Sequence, residues 1–414
     1  MANTLITPDL IAKEALMQLE NNLVAANCVH REYKKEFTGG QGEAVSIRKP
    51  VKFYTADGSQ RVNQNVEEKS TSITINQRKH VSWKFSTQDL TLSVEDYSER
   101  YIKPAMITLA NTVDRSIMGL YSSVWNAVGT PGTTPGSFAA VAAAAQRLDE
   151  MAVPSDRRHM LLNPAARYAV AGNQLTLDSV GTKGKSAYEK AMMGEVAMFD
   201  TYSTQNIPVH TVGVATGTPQ VNGASQNVTY ANAVGTNWSQ SLITDGWTNS
   251  TTGILRAGDV FTIAGVFAVN PVPGEGATGK QQMPYLQQFT VLADANSGAS
   301  TGPATLTISP PIITSGPFQT VSAAPADDAA ITVLGTGGVA YPQNLGFHKN
   351  AFALVTVPLE MPDGAAFKAR ESHNGLSVRV VKDYDIDDDE DIIRLDILYG
   401  VKSIYPDLAC RLVG

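Results

Sequence analysis

A change of composition within the chain constrains its fold more than any single motif does. From Thr211 to Leu345, Ser, Thr, Gly, Asn, Val and Ala dominate, and the two flanking parts carry almost all of the charge. The charged residues of this stretch are Asp245, Arg256, Asp259, Glu275, Lys280, Asp294, Asp327 and Asp328. The shift predicts a separate module inserted into a larger body.

Short apolar runs within the module are bounded by Gly, Pro and Asn turns. They are Val260 to Val269, Phe289 to Leu292 and Ala304 to Ile308. Runs of this length between turns are typical of a small β-barrel or sandwich. A flexible linker is the alternative for a Gly/Ser/Thr-rich stretch, and the β-branched runs argue against it.

Length and charge bound the remaining classes. The 414 residues, 43% apolar and 17% charged, can bury the core of two or three domains. A net charge of -7 disfavours a protein that grips nucleic acid through many phosphates. Cys28 and Cys410 are too few for a disulfide framework and suggest a reducing cytoplasm, with a single bridge left open. No signal peptide or apolar run of the ~18 residues that span a bilayer is found, so no membrane partner is expected.

The N-terminal part predicts a helix followed by a long β-hairpin. Thr7 as N-cap and Pro8 in the first turn begin a helix with an apolar stripe at Leu10, Ala15, Leu16, Leu19 and Leu23. Two alternating runs follow: Val45, Ile47, Val51 and Phe53, then Ile73, Ile75, Val81, Trp83 and Phe85. A two-stranded ribbon is marginally stable alone, so this one must lie on its own chain or on a neighbour.

The rest of the chain mixes helices and strands. A capping box at Ser93 and Asp96 begins one long helix that reaches Val124, kinked or restarted at Pro104. Shorter helices are predicted for 138–151 and 164–171, capped by Ser137 and Asn163. Strands follow in the runs Phe352 to Val357, Leu376 to Val380 and Ile393 to Val401. This order predicts the α+β class.

Two glycine-rich stretches come close to nucleotide-binding motifs. In PVPGEGATGKQQMP (271–284), Lys280 is followed by Gln281 rather than Ser or Thr, and Pro284 stops any helix from starting there. In SVGTKGKS (179–186), Ser179 stands where the first glycine is required, so Lys183 and Lys185 have no phosphate loop around them. Both stretches are interpreted as loops.

Metal-binding and catalytic patterns are equally weak. His30, His80, His159, His210, His348 and His373 are scattered without a His-x-x-x-His pair. The acidic run DYDIDDDED, Asp383 to Asp391, lacks the glycine of a calcium loop, and counting twelve from Asp383 gives Arg394. It predicts a charged hairpin tip, with a bound divalent ion as the lesser alternative. We therefore predict no catalytic, cofactor-binding or metal-binding residue and no enzyme.

Small basic clusters occur in the N-terminal part. They are Arg31 with Lys34 and Lys35, Arg48 with Lys49, and Arg78 with Lys79 and His80. The preferred interpretation is solvated faces or ion pairs between subunits, and contact with packaged DNA is the alternative.

Two stretches carry a family resemblance. NLGFHKNAFALVTVPLEMP (Asn344 to Pro362) and RLDILYGVKSIYPDLACRLV (Arg394 to Val413), together with the order of parts, resemble the major capsid protein of tailed bacteriophages, in the short-tailed Salmonella-phage coat protein group. The first resembles the strand that re-enters the body after an insertion, and the second resembles the closing strand.

The resemblance implies the Hong Kong 97-type capsid fold with an inserted β-barrel. Its parts would be an N-terminal arm (1–40), an extended loop (41–86), a peripheral domain with a spine helix (87–136, completed by parts of 346–414), an axial domain (137–210, completed by parts of 346–400) and the inserted barrel (211–345). Some members of the wider fold cross-link Lys to Asn between subunits. Lys52 and Lys69 lie in the corresponding hairpin, and nothing local marks either as reactive.

The implied function is a shell subunit in a virion. Its partners would be sister copies in pentamers and hexamers, a scaffolding protein and a portal protein, with non-specific proximity to packaged double-stranded DNA; a decoration protein is a further candidate. Assembly would take place in the bacterial host cytoplasm. A cellular nanocompartment shell and, from another class, a nucleotide-dependent enzyme are the alternatives. From the residues alone, the arm helix and the hairpin are expected to leave apolar surface for sister copies to cover.

Overall fold

The computed structural model describes most of the chain as two compact units. It describes residues 8–32, 44–49, 51–64, 66, 68–86, 101–177, 194–272, 280–365, 367–373, 375–386 and 390–414. Unit one comprises Met1–Ile47, Ser72–Met118 and Phe352–Ile404, and unit two comprises Arg48–Thr71, Gly119–Ala351 and Tyr405–Gly414.

The regular elements alternate between short helices and many strands. The helices are α1 (Pro8–Asn22), α2 (Ala25–Cys28), α3 (Lys103–Met118), α4 (Phe138–Glu150), α5 (Pro164–Leu177) and α6 (Tyr230–Gly235). The strands are β1 (Ala44–Lys49), β2 (Lys69–Thr74), β3 (Gln77–Ser86), β4 (Ala127–Val128), β5 (Arg158–Leu162), β6 (Glu195–Val196), β7 (Phe199–Ser203), β8 (Val209–Thr211), β9 (Gly217–Val221), β10 (Gln240–Trp247), β11 (Val260–Val269), β12 (Gln282–Val291), β13 (Ala304–Ser309), β14 (Ile331–Val333), β15 (Ala340–His348), β16 (Phe352–Thr356), β17 (Phe367–His373), β18 (Leu376–Asp385), β19 (Glu390–Ser403) and β20 (Ala409–Val413).

Unit one is built on a five-stranded antiparallel sheet. Its strands run β16-β19-β18-β17, and β3 also pairs with β19, from Gln77 opposite Tyr399 to Ser86 opposite Glu390. One parity of β18 and β19 is fully buried, as the alternation predicts. Its members are Leu376, Val378, Val380, Ile393, Leu395, Ile397 and Tyr399.

The pairing of β3 corrects the predicted hairpin. The alternating run from Ile73 to Phe85 is two strands: β2 pairs with β1, and β3 belongs to the five-stranded sheet. Between β2 and β3 the backbone passes close to Gly400. A Cβ on that residue would lie 2.4 Å from the backbone oxygen of Thr74, so this close approach requires glycine. Beyond β1 the alternation no longer indicates a buried face, and Phe53 is 51% exposed.

The N-terminal helix packs on its own chain. Its apolar stripe is buried against α3 and the strands β17 and β18. The buried members of α1 and the turn after it are Ile11, Ala12, Ala15, Leu16, Leu19 and Leu23. The expectation that this face waits for a sister copy is therefore wrong, because the spine helix α3 and the sheet of the same chain already cover it.

One buried carboxylate fixes the turn between α1 and α2. Asp114 of α3 is 1% exposed, and its Oδ2 and Oδ1 accept the backbone N–H groups of Val24 at 2.8 Å and Ala26 at 3.0 Å. These are the groups that a helix start leaves without an intrahelical partner. Burial raises the pKa of Asp114, while the hydrogen bonds from Val24 and Ala26 oppose that rise.

Unit two contains a seven-stranded mixed sheet and a barrel. The sheet runs β4-β20-β15-β5-β7-β6, and β8 also pairs with β15. Six antiparallel strands form a second sheet in the order β14-β11-β12-β13-β10-β9. A β-bridge between Gln220 and Ala330 connects the two edges of this sheet, so that it is a nearly closed barrel. Its core includes Leu242, Trp247, Phe261, Phe289 and Leu306.

The strands of the barrel occupy a shorter part of the sequence than the low-charge stretch 211–345. The barrel strands lie between Gly217 and Val333, and β15, which begins at Ala340, is a strand of the seven-stranded sheet. The composition stays low in charge beyond the barrel because β15 is buried from Gln343 to His348. Burial in the seven-stranded sheet therefore explains the lack of charged residues in this strand.

The short helices begin at their predicted caps. Ser137 Oγ accepts the N–H of Ala140 at 3.2 Å at the start of α4, and Asn163 Oδ1 accepts the N–H of Ala166 at 2.9 Å at the start of α5. The long helix ends at Met118 and tightens into a 3₁₀ turn, Gly119–Ser123. Pro104 is the second residue of α3, where its missing N–H costs no intrahelical bond. Ser93 and Asp96 lie outside the described residues.

Replacing Asp114 tests how the N-terminal helix is held. Asp114→Ala leaves two buried N–H groups without an acceptor, and we expect a loss of about 2–3 kcal/mol in the free energy that protects α1 and α2. Native-state hydrogen exchange of the Val24 and Ala26 amides measures it. Arg115→Ala, at the exposed neighbouring position, is the control. Unchanged protection of both amides in Asp114→Ala would contradict the anchoring role.

Candidate functional site

A buried chain of polar side chains lies between the barrel and the seven-stranded sheet in unit two. Asp259, 1% exposed at the start of β11, accepts the backbone N–H groups of Gly213 at 3.0 Å and Arg256 at 2.7 Å through Oδ2. Its Oδ1 lies 2.7 Å from His210 Nε2, and Nδ1 of the same ring lies 2.9 Å from the Tyr121 hydroxyl. The tautomer that is protonated at Nε2 satisfies all three side chains.

A buried arginine extends this chain of contacts. Arg411 of β20 is 1% exposed, and it donates to the carbonyl of Gly258 at 2.6 Å and to Thr290 Oγ1 at 3.1 Å. Its guanidinium carbon lies 5.2 Å from the centroid of the Tyr121 ring, within cation–π range. Burial lowers the pKa of Arg411 to about 10, against the opposing influence of Tyr121 and Asp259. We call Tyr121, His210, Asp259 and Arg411 the buried network.

The turn before Asp259 needs a glycine. Gly258 has a φ of +103°, and a Cβ on it would lie 3.3 Å from both His210 Cε1 and Ser122 Cβ. The bare backbone brings the Gly258 carbonyl to the Arg411 guanidinium. A side chain at 258 would both strain the backbone and separate these groups.

The buried network is arranged as a support. A hydroxyl, an imidazole and a carboxylate in series also describe a nucleophilic triad. Burial raises the pKa of Tyr121, which disfavours the phenolate that a tyrosine nucleophile would require. The network joins the barrel turn, the 3₁₀ turn after α3 and the C-terminal strand, so its clearest effect is to hold the barrel on the seven-stranded sheet.

Most of the two glycine-rich stretches, 271–284 and 179–186, is not described by the structure, and Lys280 is the described residue of interest. Residues 273–279 of the first glycine-rich stretch and all of 179–186 lie outside the described residues. Lys280 donates to the carbonyl of Gln319 at 3.0 Å and leads into β12 rather than into a helix. Burial, and secondarily the charge of Lys52, lowers the pKa of Lys280 to about 7.

The described parts of the acidic run pair as the two sides of a hairpin, as predicted, and residues 387–389 lie outside the described residues. β18 ends at Asp385 and β19 begins at Glu390, and the two strands pair up to that point. Over the ranges that the structure describes, no group of three or more His, Cys, Asp or Glu is placed to hold a metal ion. Cys28 and Cys410 are both buried and neither is part of a disulfide bond, so the bridge that the sequence left open is not formed.

The hairpin tip of β1 and β2 meets the barrel at a cavity of about 340 Å³. Lys52, Tyr54 and Gln64 line one side, and Tyr230 and Phe318 line the other. The Gln64 side chain bonds both the N–H and the carbonyl of Tyr54, at 3.0 and 2.6 Å, which ties the two arms together. Three apolar side chains of this region stay exposed: Phe53 and Val62 at 51% and Val66 at 64%.

Comparison with known families decides the identity. The family described as "P22 coat protein - gene protein 5" matches residues 1–414. The chain belongs to the P22 coat protein family. The match spans every part predicted from the order of elements, including the inserted barrel.

Comparisons with solved structures give weaker likenesses. "Mycobacterium phage Che8" is 13% identical with a TM-score of 0.48, and the alignment covers 94% of this chain and 90% of that one. The "Asymmetric unit of bacteriophage PhiM1 mature capsid" is 11% identical, TM-score 0.42, covering 90% and 82%. The "Acidic stable capsid structure of Helicobacter pylori bacteriophage KHP30" is 9% identical, TM-score 0.42, covering 90% and 84%. A search of curated proteins gives no significant match. Membership therefore rests on the sequence match.

Membership confirms the predicted fold class and function. The coat protein has the α+β, Hong Kong 97-type capsid fold, and it is a major capsid protein that associates with itself into an icosahedral shell. It is a structural protein of the virion. Among the helices in the described ranges, none combines the length and the hydrophobicity needed to cross a bilayer.

The buried network was missed at the level of sequence. Asp259 and Arg411 are charged residues of ordinary appearance, and only their surroundings distinguish them. Asp259 is one of very few charges in the module, and Arg411 interrupts the apolar run ACRLV. A single charge inside a stretch that otherwise avoids charge is the signal that could have identified both.

Removing the buried guanidinium tests the support role. Arg411→Met keeps most of the stem volume but leaves the acceptors on Gly258 and Thr290 unpaired, so we expect about 3 kcal/mol lower free energy of unfolding for unit two. Urea unfolding of the unassembled subunit, followed by hydrogen exchange in β11 and β20, measures the change. The matched control Arg256→Met alters an exposed arginine and should stay within about 0.5 kcal/mol. Equal stability of the two variants would argue against the network.

Two histidines on neighbouring strands predict acid sensitivity. His159 of β5 and His348 of β15 are largely buried, and burial lowers the pKa of each from 6.5, although Asp200 and Asp156 oppose it. Below about pH 6.5 the unfolded chain binds more protons than the folded one, so the free energy of unfolding falls as the pH falls. Thermal unfolding from pH 8 to 5 should show this decline. The double variant His159→Gln/His348→Gln should flatten it, whereas exposed His373→Gln should not.

Proposed function

We propose that the coat protein forms pentamers and hexamers that close into an icosahedral shell around packaged double-stranded DNA. Assembly in the bacterial cytoplasm would be directed by a scaffolding protein and a portal protein, with a decoration protein as a further candidate partner. The observation that carries the proposal is the family match over all 414 residues. The negative net charge supports it as well, because DNA inside a container must move rather than adhere.

The division into capsid domains is part of the same proposal. The arm is assigned to 1–40 and the extended loop to 41–86, with β3 completing the sheet of the peripheral domain. Unit one supplies that peripheral domain, with α3 as its spine helix. The seven-stranded sheet with α4 and α5 would be the axial domain, and it takes β15 and β20 from the C-terminal part. The barrel β9 to β14 would be the inserted domain.

Electron microscopy tests the proposal directly. Purified coat protein, alone and with its scaffolding protein, should form closed particles of uniform size that contain hundreds of copies. Native particles should contain a double-stranded DNA genome. Particles that enclose an enzyme instead of a genome would favour the nanocompartment shell, and a subunit that stays monomeric under every condition would refute the shell.

The exposed apolar side chains of the hairpin predict where neighbours meet. Burying the exposed half of Phe53 and of Val62 against another copy would contribute about 0.8–1.5 kcal/mol for each side chain, and the effect repeats at every contact in the shell. Phe53→Ser/Val62→Ser should therefore abolish particle formation and change the stability of the subunit by less than about 0.5 kcal/mol. Sedimentation velocity and circular dichroism provide the two readouts. Ile243→Ser, at a 50% exposed barrel residue, is the matched control. Normal particles from the hairpin variant would contradict the assignment.

A further inference from the structure

The cavity in unit two beside the barrel is large enough to hold a small molecule. We call residues 51–64, between β1 and β2, the hairpin segment, and we call the cavity that it forms with the barrel the hairpin cavity. Its volume of about 340 Å³ lies at the lower end of the range of about 300–1,000 Å³ that small-molecule sites occupy. A water molecule takes up about 30 Å³ in the liquid, so there is room for a charged group and an attached ring. The lining residues are Lys52, Tyr54, Asn63 and Gln64 of the hairpin segment and Tyr230, Ser315, Gly316, Pro317 and Phe318 of the barrel.

The charge of the hairpin cavity is positive. Among the residues that the structure describes, no Asp or Glu lines it, and Lys52 Nζ lies 5.9 Å from the centroid of the Phe318 ring. A second ammonium group is close, since Lys280 donates to the carbonyl of Gln319, the residue after Phe318. Over the same described ranges, neither lysine forms an ion pair. The cavity therefore has cations without a counter-ion.

The two lysines disfavour each other's charge. The pKa of Lys280 is lowered to about 7, with burial as the larger cause and the positive charge of Lys52 as the second. An anion placed near both ammonium groups would remove this repulsion and raise the pKa of Lys280 again. Two half-buried cations without compensation break a rule that most of a folded chain obeys, and such exceptions are expected at functional sites.

Aromatic rings form the barrel side of the hairpin cavity. Tyr230 and Phe318 stack with their centroids 4.0 Å apart, and Trp238 packs edge-on against both rings. This packing holds the two lining rings in place, and a flat group in the cavity gains free energy from contact with them. Hydroxyl and amide groups complete the lining, on Tyr54, Ser315 and Asn63. The cavity thus combines cations, rings and hydrogen-bond donors.

We propose that the hairpin cavity binds a small organic anion, with its phosphate or carboxylate group at Lys52 and a flat ring against Phe318 and Tyr230. The two candidate groups share an anionic oxygen, which an ammonium group attracts and which hydroxyl and amide groups can hydrogen-bond. A neutral ring would leave the lysines uncompensated, and an inorganic anion would leave most of the volume and both rings unused. The site does not depend on the proposed shell function, because every residue of it belongs to one subunit.

A ligand in this position would connect the two sides of the cavity. Gln64 bonds both the N–H and the carbonyl of Tyr54, at 3.0 and 2.6 Å, so the two arms of the hairpin segment are already tied together. An anion at Lys52 with its ring on Phe318 would hold this segment on the barrel. Occupancy is therefore expected to slow hydrogen exchange at the Tyr54 amide.

Titration of the unassembled subunit with four probes tests the class of ligand. Phenyl phosphate and benzoate carry both an anionic group and a ring, inorganic phosphate carries only the charge, and phenol carries only the ring. Isothermal titration calorimetry should show that phenyl phosphate or benzoate binds at least about tenfold more tightly than inorganic phosphate and phenol. Whichever of the two binds more tightly identifies the anionic group.

Variants test where the anion binds. Lys52→Met removes the charge and keeps most of the stem, so it should weaken the tighter probe at least about tenfold. The matched control Arg61→Met removes a charge from the exposed part of the same hairpin segment, outside the lining, and should change the affinity less than about twofold. Phe318→Leu should weaken the probes that carry a ring about three- to tenfold and leave inorganic phosphate unchanged.

Three results would overturn the proposal. Equal affinities in Lys52→Met and Arg61→Met would mean that the anion does not bind at the hairpin cavity. Inorganic phosphate that binds as tightly as phenyl phosphate would eliminate the role of the rings. Failure of all four probes to bind saturably would leave the cavity without this function. Circular dichroism confirms that each variant is folded before it is scored, and Lys52→Met decides the location of the site if Phe318→Leu is unstable.

Discussion

The buried guanidinium of Arg411 is the constraint on which unit two depends. An arginine removed from water needs acceptors in fixed positions, and here they come from the turn before β11 and from β12, both in the barrel. The Tyr121 ring, from the turn after α3, covers it. The barrel supplies the acceptors of the Arg411 guanidinium and the turn after α3 covers it. Displacing either part would leave the buried charge less well compensated and would lower the free energy of unfolding of unit two. The barrel is an inserted module in the sequence, but its stability is coupled to that of the seven-stranded sheet of unit two.

Local signals predicted the local structure well. The caps at Ser137 and Asn163 begin the helices they were expected to begin, and the alternation in β18 and β19 correctly separates the buried from the exposed side. Pairing partners were harder. Alternation tells which face of a strand is buried but not which strand lies beside it, so β3 was assigned to a hairpin although its partner β19 lies more than 300 residues away.

The charged residues with structural roles escaped prediction for a related reason. Asp114, Asp259, Asp396 and Arg411 are nearly or fully buried, and each is stabilised by donors or acceptors that are distant in sequence. Most charged residues of a protein lie on its surface, so a sequence gives little reason to place these inside. Asp259 and Arg411 are distinguished by the absence of other charge around them in their own module or strand, a signal that becomes informative only when the surrounding strand is known to be buried. Asp114 and Asp396 lie close to Arg115 and Arg394 in the sequence and give no such signal.

Coverage of α1 by its own chain changes where the energy of assembly must come from. Because the subunit covers α1 internally, what remains for neighbours is the exposed apolar surface of the segment between β1 and β2, together with charged side chains on the surface. Exposed ion pairs contribute about 0.2–1 kcal/mol each, so single contacts stay weak and a wrongly placed subunit can leave again. A subunit held by several neighbours at once is retained, because the contacts act together. Weak, heterologous and repeated contacts therefore suit a shell that must correct errors before it closes.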